Sequence, residues 1–182
     1  MSGKFSFTIA SEDKQRDLPG KIIIGQQAPE TIIHVVLKLL GFLLFYRERI
    51  QIETNLHIDS IPYVPDLAQL DYELRPALWI ECGECNVNKL HKLAVKIPDA
   101  EIWIVKKSRA AAEELFRQMA KADLRRDRYG LVGFDGEMFD EVCSLMRSRN
   151  EIFWLSGEFD PGNVQFEFNG LWFDAPLHVL RF

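Results

Sequence analysis

The run from Ile32 to Tyr46, I-I-H-V-V-L-K-L-L-G-F-L-L-F-Y, constrains the fold more than any other part of the chain. Read as a helix it is apolar on most sides, so it cannot lie on a surface with one face in water. It needs protein around it and is expected to be a buried central helix. Only His34 and Lys38 interrupt the run, which is too short to span a bilayer, a task for about 20 apolar residues. Pro29-Glu30-Thr31 opens the helix: proline fits the first helical position, and Glu30 complements the N-terminal dipole. Arg47-Glu48-Arg49 ends it in charge.

Around this helix the apolar period alternates between strand and helix. Lys4 to Ala10 places Phe5, Phe7 and Ile9 on one face, and Lys21 to Gly25 holds the branched run I-I-I, so the two suggest a hairpin. Ile50 to Ile58 alternates again and is expected as a strand. Residues 59–66 form a turn into a short strand, and Ala77 to Cys82 is a strand with Glu81 near its end. Val87 to Lys96 is expected as a helix with Val87, Leu90 and Ala94 inward and Lys89, Lys92 and Lys96 as a second stripe. Ala100 to Val105 is a strand. A helix then runs from an N-cap at Ser108 to about Ala122. The remainder is expected as strand 129–134, helix 136–147 and strands near 151–156, 163–168 and 171–173. The order helix, strands, helix, strand over residues 29–105 points to a mixed sheet covered by helices.

A length of 182 residues suits one substantial core and is short for two, so residues 1–182 are expected as a single domain. The net charge of -5 argues against binding nucleic acid with the whole surface but leaves room for a local basic groove. The N-terminus lacks the apolar core of a secretory signal. Cys82, Cys85 and Cys143 do not make a disulfide framework. A soluble, cytoplasmic chain without a membrane partner is the expectation.

Residues 65–92 carry the chemistry. Pro65-Asp66 is followed fifteen residues later by Glu81 in W-I-E-C-G, then by Lys89 and Lys92. Two carboxylates on neighbouring strands offer oxygen ligands to Mg²⁺, and the metal can activate water at a phosphodiester. A lysine nearby can stabilise the developing charge. The bland alternatives are a turn aspartate after proline, a solvated lysine stripe, and a first-turn glutamate at Glu30. Glu81 resists a bland reading, because a carboxylate ending A-L-W-I should be partly buried and then needs a partner. Cys82-x-x-Cys85 stands at a strand-to-helix junction where a thiolate can be stabilised, but no further redox context surrounds it. Residues 105–128 are locally basic, which fits either a phosphate contact or a surface helix laced with pairs such as Glu113–Arg117.

These residues in this order resemble the YaeQ family of bacterial proteins. One matching stretch runs from Glu30-Thr31 through L-K-L-L-G-F-L-L-F-Y-R-E-R-I-Q to Asn55-Leu56. A second runs from W-I-E-C-G through Lys92 to Ser108-Arg109. The resemblance covers nearly the full length. It implies an α/β fold with a mixed central sheet flanked by helices, a variation of the PD-(D/E)xK restriction-endonuclease-like core. It further implies Asp66 and Glu81 as ligands of Mg²⁺ or Mn²⁺, Glu30 as a third acid, and a nucleic-acid substrate or partner. The superfamily's lysine falls at Gly83 here, so Lys92, or next Lys89, is expected to take its place. Ser108 and Arg109 match a recurrent S-R, whereas Lys106 stands where the family often has tyrosine. A Mg²⁺-dependent nuclease-like protein is the activity implied. The alternative is a catalytically silent module of the same fold that binds nucleic acid or protein.

Overall fold

A computed structural model describes residues 3–182. Its elements are β1 (Lys4–Ser11), β2 (Lys21–Gly25), α1 (Ile32–Phe45), β3 (Gln51–Ile52), β4 (Leu67–Leu70), β5 (Pro76–Cys82), α2 (Val87–Lys96) and β6 (Glu101–Lys106). There follow α3 (Arg109–Lys121), β7 (Tyr129–Gly133), α4 (Gly136–Leu145), β8 (Arg149–Phe159), β9 (Gly162–Phe168), β10 (Leu171–Pro176) and β11 (His178–Arg181). The strands form two mixed sheets, ordered β10-β9-β8-β1-β2 and β11-β7-β6-β5-β4-β3.

Helix α1 lies where its sequence requires. It packs on β2 of the first sheet, on β4, β5 and β6 of the second, and on α4. Every residue from Val35 to Phe45 is buried. The core around it joins Phe7, Trp154 and Phe166 of one sheet to Leu67, Ile80 and Val105 of the other. Burying each such side chain contributes about 1.5–3 kcal/mol, which is why an all-round apolar helix is stable only between layers. Gly41 lets it approach the sheet closely: a Cβ there would lie 3.2 Å from Leu67 Cδ1.

The opposite face of the six-stranded sheet carries α2 and α3. Leu90, Leu93, Leu115 and Met119 pack there on Trp79, Ile104 and Leu131. Strands β5, β6 and β7 run parallel, so α2 and α3 are their crossover helices. Both helices are capped, Asn86 accepting from the Asn88 amide and Ser108 from the Ala111 amide. Arg128 closes α2 from outside, donating to the carbonyls of Ala94 and Ile97.

Several local expectations need correction. Pro29 and Glu30 precede α1, whose N-cap is Thr31, so Glu30 is not in its first turn. The alternation at Ile50–Ile58 yields only the two-residue β3, because Glu53 and His57 adopt positive φ (48° and 51°) and leave the extended conformation. Val87 is half-buried on α2, while Leu93 is fully inward.

Arg16, unmarked in the sequence, ties the layers together. Buried between β1 and β2, it donates to the carbonyls of Leu44 on α1 and Gly157 on β8 and pairs with Asp13 at 2.7 Å. Desolvation pushes the Asp13 pKa up. The Gln15 amide, Arg16 and the Trp154 indole outweigh it and hold the carboxyl below the usual aspartate range. Its stabilising contribution is therefore complete above the unfolded aspartate pKa of about 4 and drains away as pH falls through the lower folded value. Asp13→Asn should lower the melting temperature at neutral pH and make its decline below about pH 4 shallower, as pH-resolved thermal unfolding would register.

Candidate functional site

Four chain segments meet at one end of the six-stranded sheet. Strand β4 is antiparallel to β5 with Leu67 opposite Ile80, so Asp66, just before β4, comes to the carboxyl end of β5. Strand β6 runs parallel to β5 and delivers Lys106 to the same end. The start of α1 supplies His34 and, one turn on, Lys38.

Asp66 is anchored at both oxygens. Its Oδ2 accepts from the Cys82 backbone amide at 2.6 Å, and its Oδ1 lies 2.8 Å from His34 Nε2. His34 Nε2 also lies 3.4 Å from Glu30 Oε1. The hydrogen bond to Asp66 raises the His34 pKa against the opposing desolvation, with the Asp66 and Glu30 charges adding to the rise. Glu30 Oε2 accepts from the Gln27 amide at 2.8 Å and from Lys38 Nζ at 2.9 Å. Lys38 is wholly buried and also donates to Glu53 at 2.6 Å. Desolvation works to raise both glutamates. Glu53 ends above the usual range, whereas the Gln27 amide and Lys38 bring Glu30 below it.

Glu81 points to the α2 side of the sheet. It is 4% exposed, accepts from the Trp79 indole at 2.7 Å, and pairs with Lys89 Nζ at 2.7 Å. Desolvation raises its pKa, Lys89 and Trp79 oppose the rise, and the Asp66 charge adds to it. Of the three lysines on α2, Lys89 meets the acid. Lys92 is exposed, and Lys96 donates to the Ser60 carbonyl. Ligand-capable atoms of Glu30, His34 and Asp66 lie within 4.8 Å of one another, and Glu81 stands outside that group.

Gly83 adopts φ +84°, which a side-chain-bearing residue rarely takes. That conformation explains the absence of a lysine there. Its carbonyl accepts from buried Lys106 at 2.6 Å, and desolvation lowers the Lys106 pKa. A cavity of about 230 Å³ opens beside it, lined in part by His34, Leu37, Gly83 and Lys106.

The remaining candidates have structural occupations. Ser108 caps α3, and Arg109 pairs with Glu113 on its surface at 2.8 Å. Arg117 pairs with Glu114 rather than with Glu113, and Arg126 lies over the Phe182 ring. Much of the basic stretch 105–128 is thus spent on local pairs and on capping α2. The cysteines are free thiols. Cys82 is buried in the core on the α1 side, opposite Glu81, and burial pushes the Cys85 thiol up to about 12, the reverse of a reactive thiolate. Cys82→Ser should cost about 1–2 kcal/mol in denaturant unfolding through a poorly satisfied hydroxyl, with no redox-dependent transition in either form.

His34, Lys38, Glu53 and Lys106 went unassigned as site residues in the sequence. Glu30, His34 and Lys38 are spaced by four, a stripe that could have revealed them. Glu53 carries no such signal.

Residues 2–154 match the family model described as YaeQ protein. Two crystal structures share the fold. The YaeQ protein from Xanthomonas axonopodis pv. citri has a TM-score of 0.75 at 19% identity, over 99% of this chain and 97% of that one. The YaeQ protein from Pseudomonas syringae has a TM-score of 0.74 at 17% identity, over 100% and 96%. No curated protein matches the sequence. Among the described residues, no helix is long and apolar enough to cross a membrane.

Proposed function

We propose, from the premise that the chain belongs to the YaeQ family, that it is a metal-dependent, nuclease-like protein acting on nucleic-acid phosphodiesters. One observation carries the reading: Glu81, ending β5 beside the Asp66-bearing start of β4, is paired at 2.7 Å with Lys89 from the next helix. On this reading α2 supplies the lysine that Gly83 lacks. The order α1, β3, β4, β5, α2, β6 supports it, being the helix, strands, helix, strand order read from residues 29–105.

Asp66 and Glu81 would hold Mg²⁺ or Mn²⁺, with Glu30 as the third acid. The donor chemistry suits these hard cations, which take carboxylate oxygens, with Glu30 and Asp66 grouped and Glu81 apart from them. Trp79 and Lys89 both contact Oε1 of Glu81, which leaves Oε2 for a ligand. When bound, the ion would polarise a phosphoryl oxygen and acidify a water. The Lys89 ammonium would stabilise negative charge developing on the phosphate. Burial of Glu81 beneath Trp79 and Lys89 keeps its carboxylate from swinging away. Assays on single- and double-stranded DNA and RNA test the reading. Cleavage should appear with Mg²⁺ or Mn²⁺ and stop with chelator.

A second reading is a catalytically silent module that binds nucleic acid or protein. The positive φ at Gly83 and the internal pairing of Asp66 with His34 favour it. Binding of nucleic acid without metal-dependent cleavage would select that reading.

A further inference from the structure

Glu30 and Asp66 are oriented alike. Each has one carboxylate oxygen held by a backbone amide: Glu30 Oε2 by Gln27 and Asp66 Oδ2 by Cys82. Each turns its other oxygen toward His34 Nε2, at 3.4 and 2.8 Å, and that oxygen of Glu30 also accepts from Lys38 Nζ at 3.2 Å. Amide anchors of this kind fix ligand direction in metal sites. Glu30 and Glu53 share the buried ammonium of Lys38, Asp66 faces His34, and Glu81 pairs separately with Lys89.

We infer that Glu30 Oε1, His34 Nε2 and Asp66 Oδ1 form a three-ligand site for a first-row transition ion, Mn²⁺ or Zn²⁺, in preference to Mg²⁺. An imidazole nitrogen is the donor that makes the choice: it suits transition metals, whereas Mg²⁺ keeps to oxygen ligands and water. Three protein ligands leave coordination positions for water or a substrate oxygen. The side chains of His34, Glu30 and Asp66 keep 27%, 15% and 14% of their surface exposed, so the group is reached from solvent. Lys38 donates to both oxygens of Glu30, at 3.2 and 2.9 Å, and holds the carboxylate in place. This deepens the proposed function and rests on it through the shared ligand Asp66.

Titration calorimetry of the whole chain with Mn²⁺, Zn²⁺ and Mg²⁺ separately tests the inference. Wild type should bind one equivalent of Mn²⁺ or Zn²⁺ at least about tenfold more tightly than Mg²⁺, and His34→Gln should weaken that binding at least about tenfold. Histidine ¹⁵N NMR of the unaltered chain gives a readout free of folding effects: Zn²⁺ should shift the Nε2 resonance of His34. Metal binding lost in Asp66→Asn and Glu81→Gln, with His34→Gln unchanged and no Nε2 shift, overturns the inference and leaves the oxygen-only nuclease reading intact. Absence of binding by all three ions overturns both.

Discussion

Replacing Lys38 by alanine should destabilise the protein by roughly 3–5 kcal/mol, the cost of removing one partner from a buried charge pair. Lys38 has no solvent exposure, and its ammonium donates to Glu30, Glu53 and the Gly25 carbonyl. Those contacts tie the end of β2, the approach to α1 and the exit from β3 to one point. Without the ammonium, two largely covered carboxylates face each other uncompensated. Denaturant unfolding measures the loss. The triple variant Lys38→Met, Glu30→Gln, Glu53→Gln should recover much of it, because replacing a whole buried ionic cluster is far less costly than breaking it. Equal losses in the single and triple variants would mean that packing, not charge, is what Lys38 provides.

The second large effect concerns chemistry. Asp66→Asn and Glu81→Gln should each lower metal-dependent cleavage by about 10²–10³-fold, the usual consequence of removing one group that stabilises transition-state charge. Lys89→Met should fall in the same direction, and Lys92→Met should change little, since Lys92 is exposed while Lys89 is paired to Glu81. The conservative variants keep the side-chain volumes. Melting temperatures near wild type would separate a catalytic loss from an unfolded protein. Cleavage that survives both acid variants would remove Asp66 and Glu81 from the reaction.

Much of this arrangement is legible in the sequence because local physics governs it. The apolar run at 32–46 demanded cover on every side, and α1 has a sheet on each side. Ser108 sits before a helical stripe and caps α3. Glu81, closing an apolar strand, is buried and partnered as its context requires. The long-range features were not legible. Strand β1 pairs in parallel with β8, with Ile9 opposite Ile152, and no local pattern announces such a partner. Two sheets therefore stand where one central sheet was expected. The strand β11 was missed because H-V-L-R is short and partly polar, and it becomes a strand only by pairing with β7. At the site, His34 and Lys38 read as flaws in an apolar helix. Their purpose emerges only when β4 brings Asp66, and the turn after β3 brings Glu53, against that face of α1.

In the proposed site, Asp66 anchors a divalent metal at the meeting of α1, β4 and β5. A crystal grown with Mn²⁺ and measured for anomalous scattering tests it most directly. One strong manganese peak is expected at metal–oxygen distance from Asp66, about 2.0–2.6 Å for hard divalent cations. A map with no peak at Asp66, from crystals bathed in Mn²⁺ at a concentration that occupies ordinary metal sites, would contradict it.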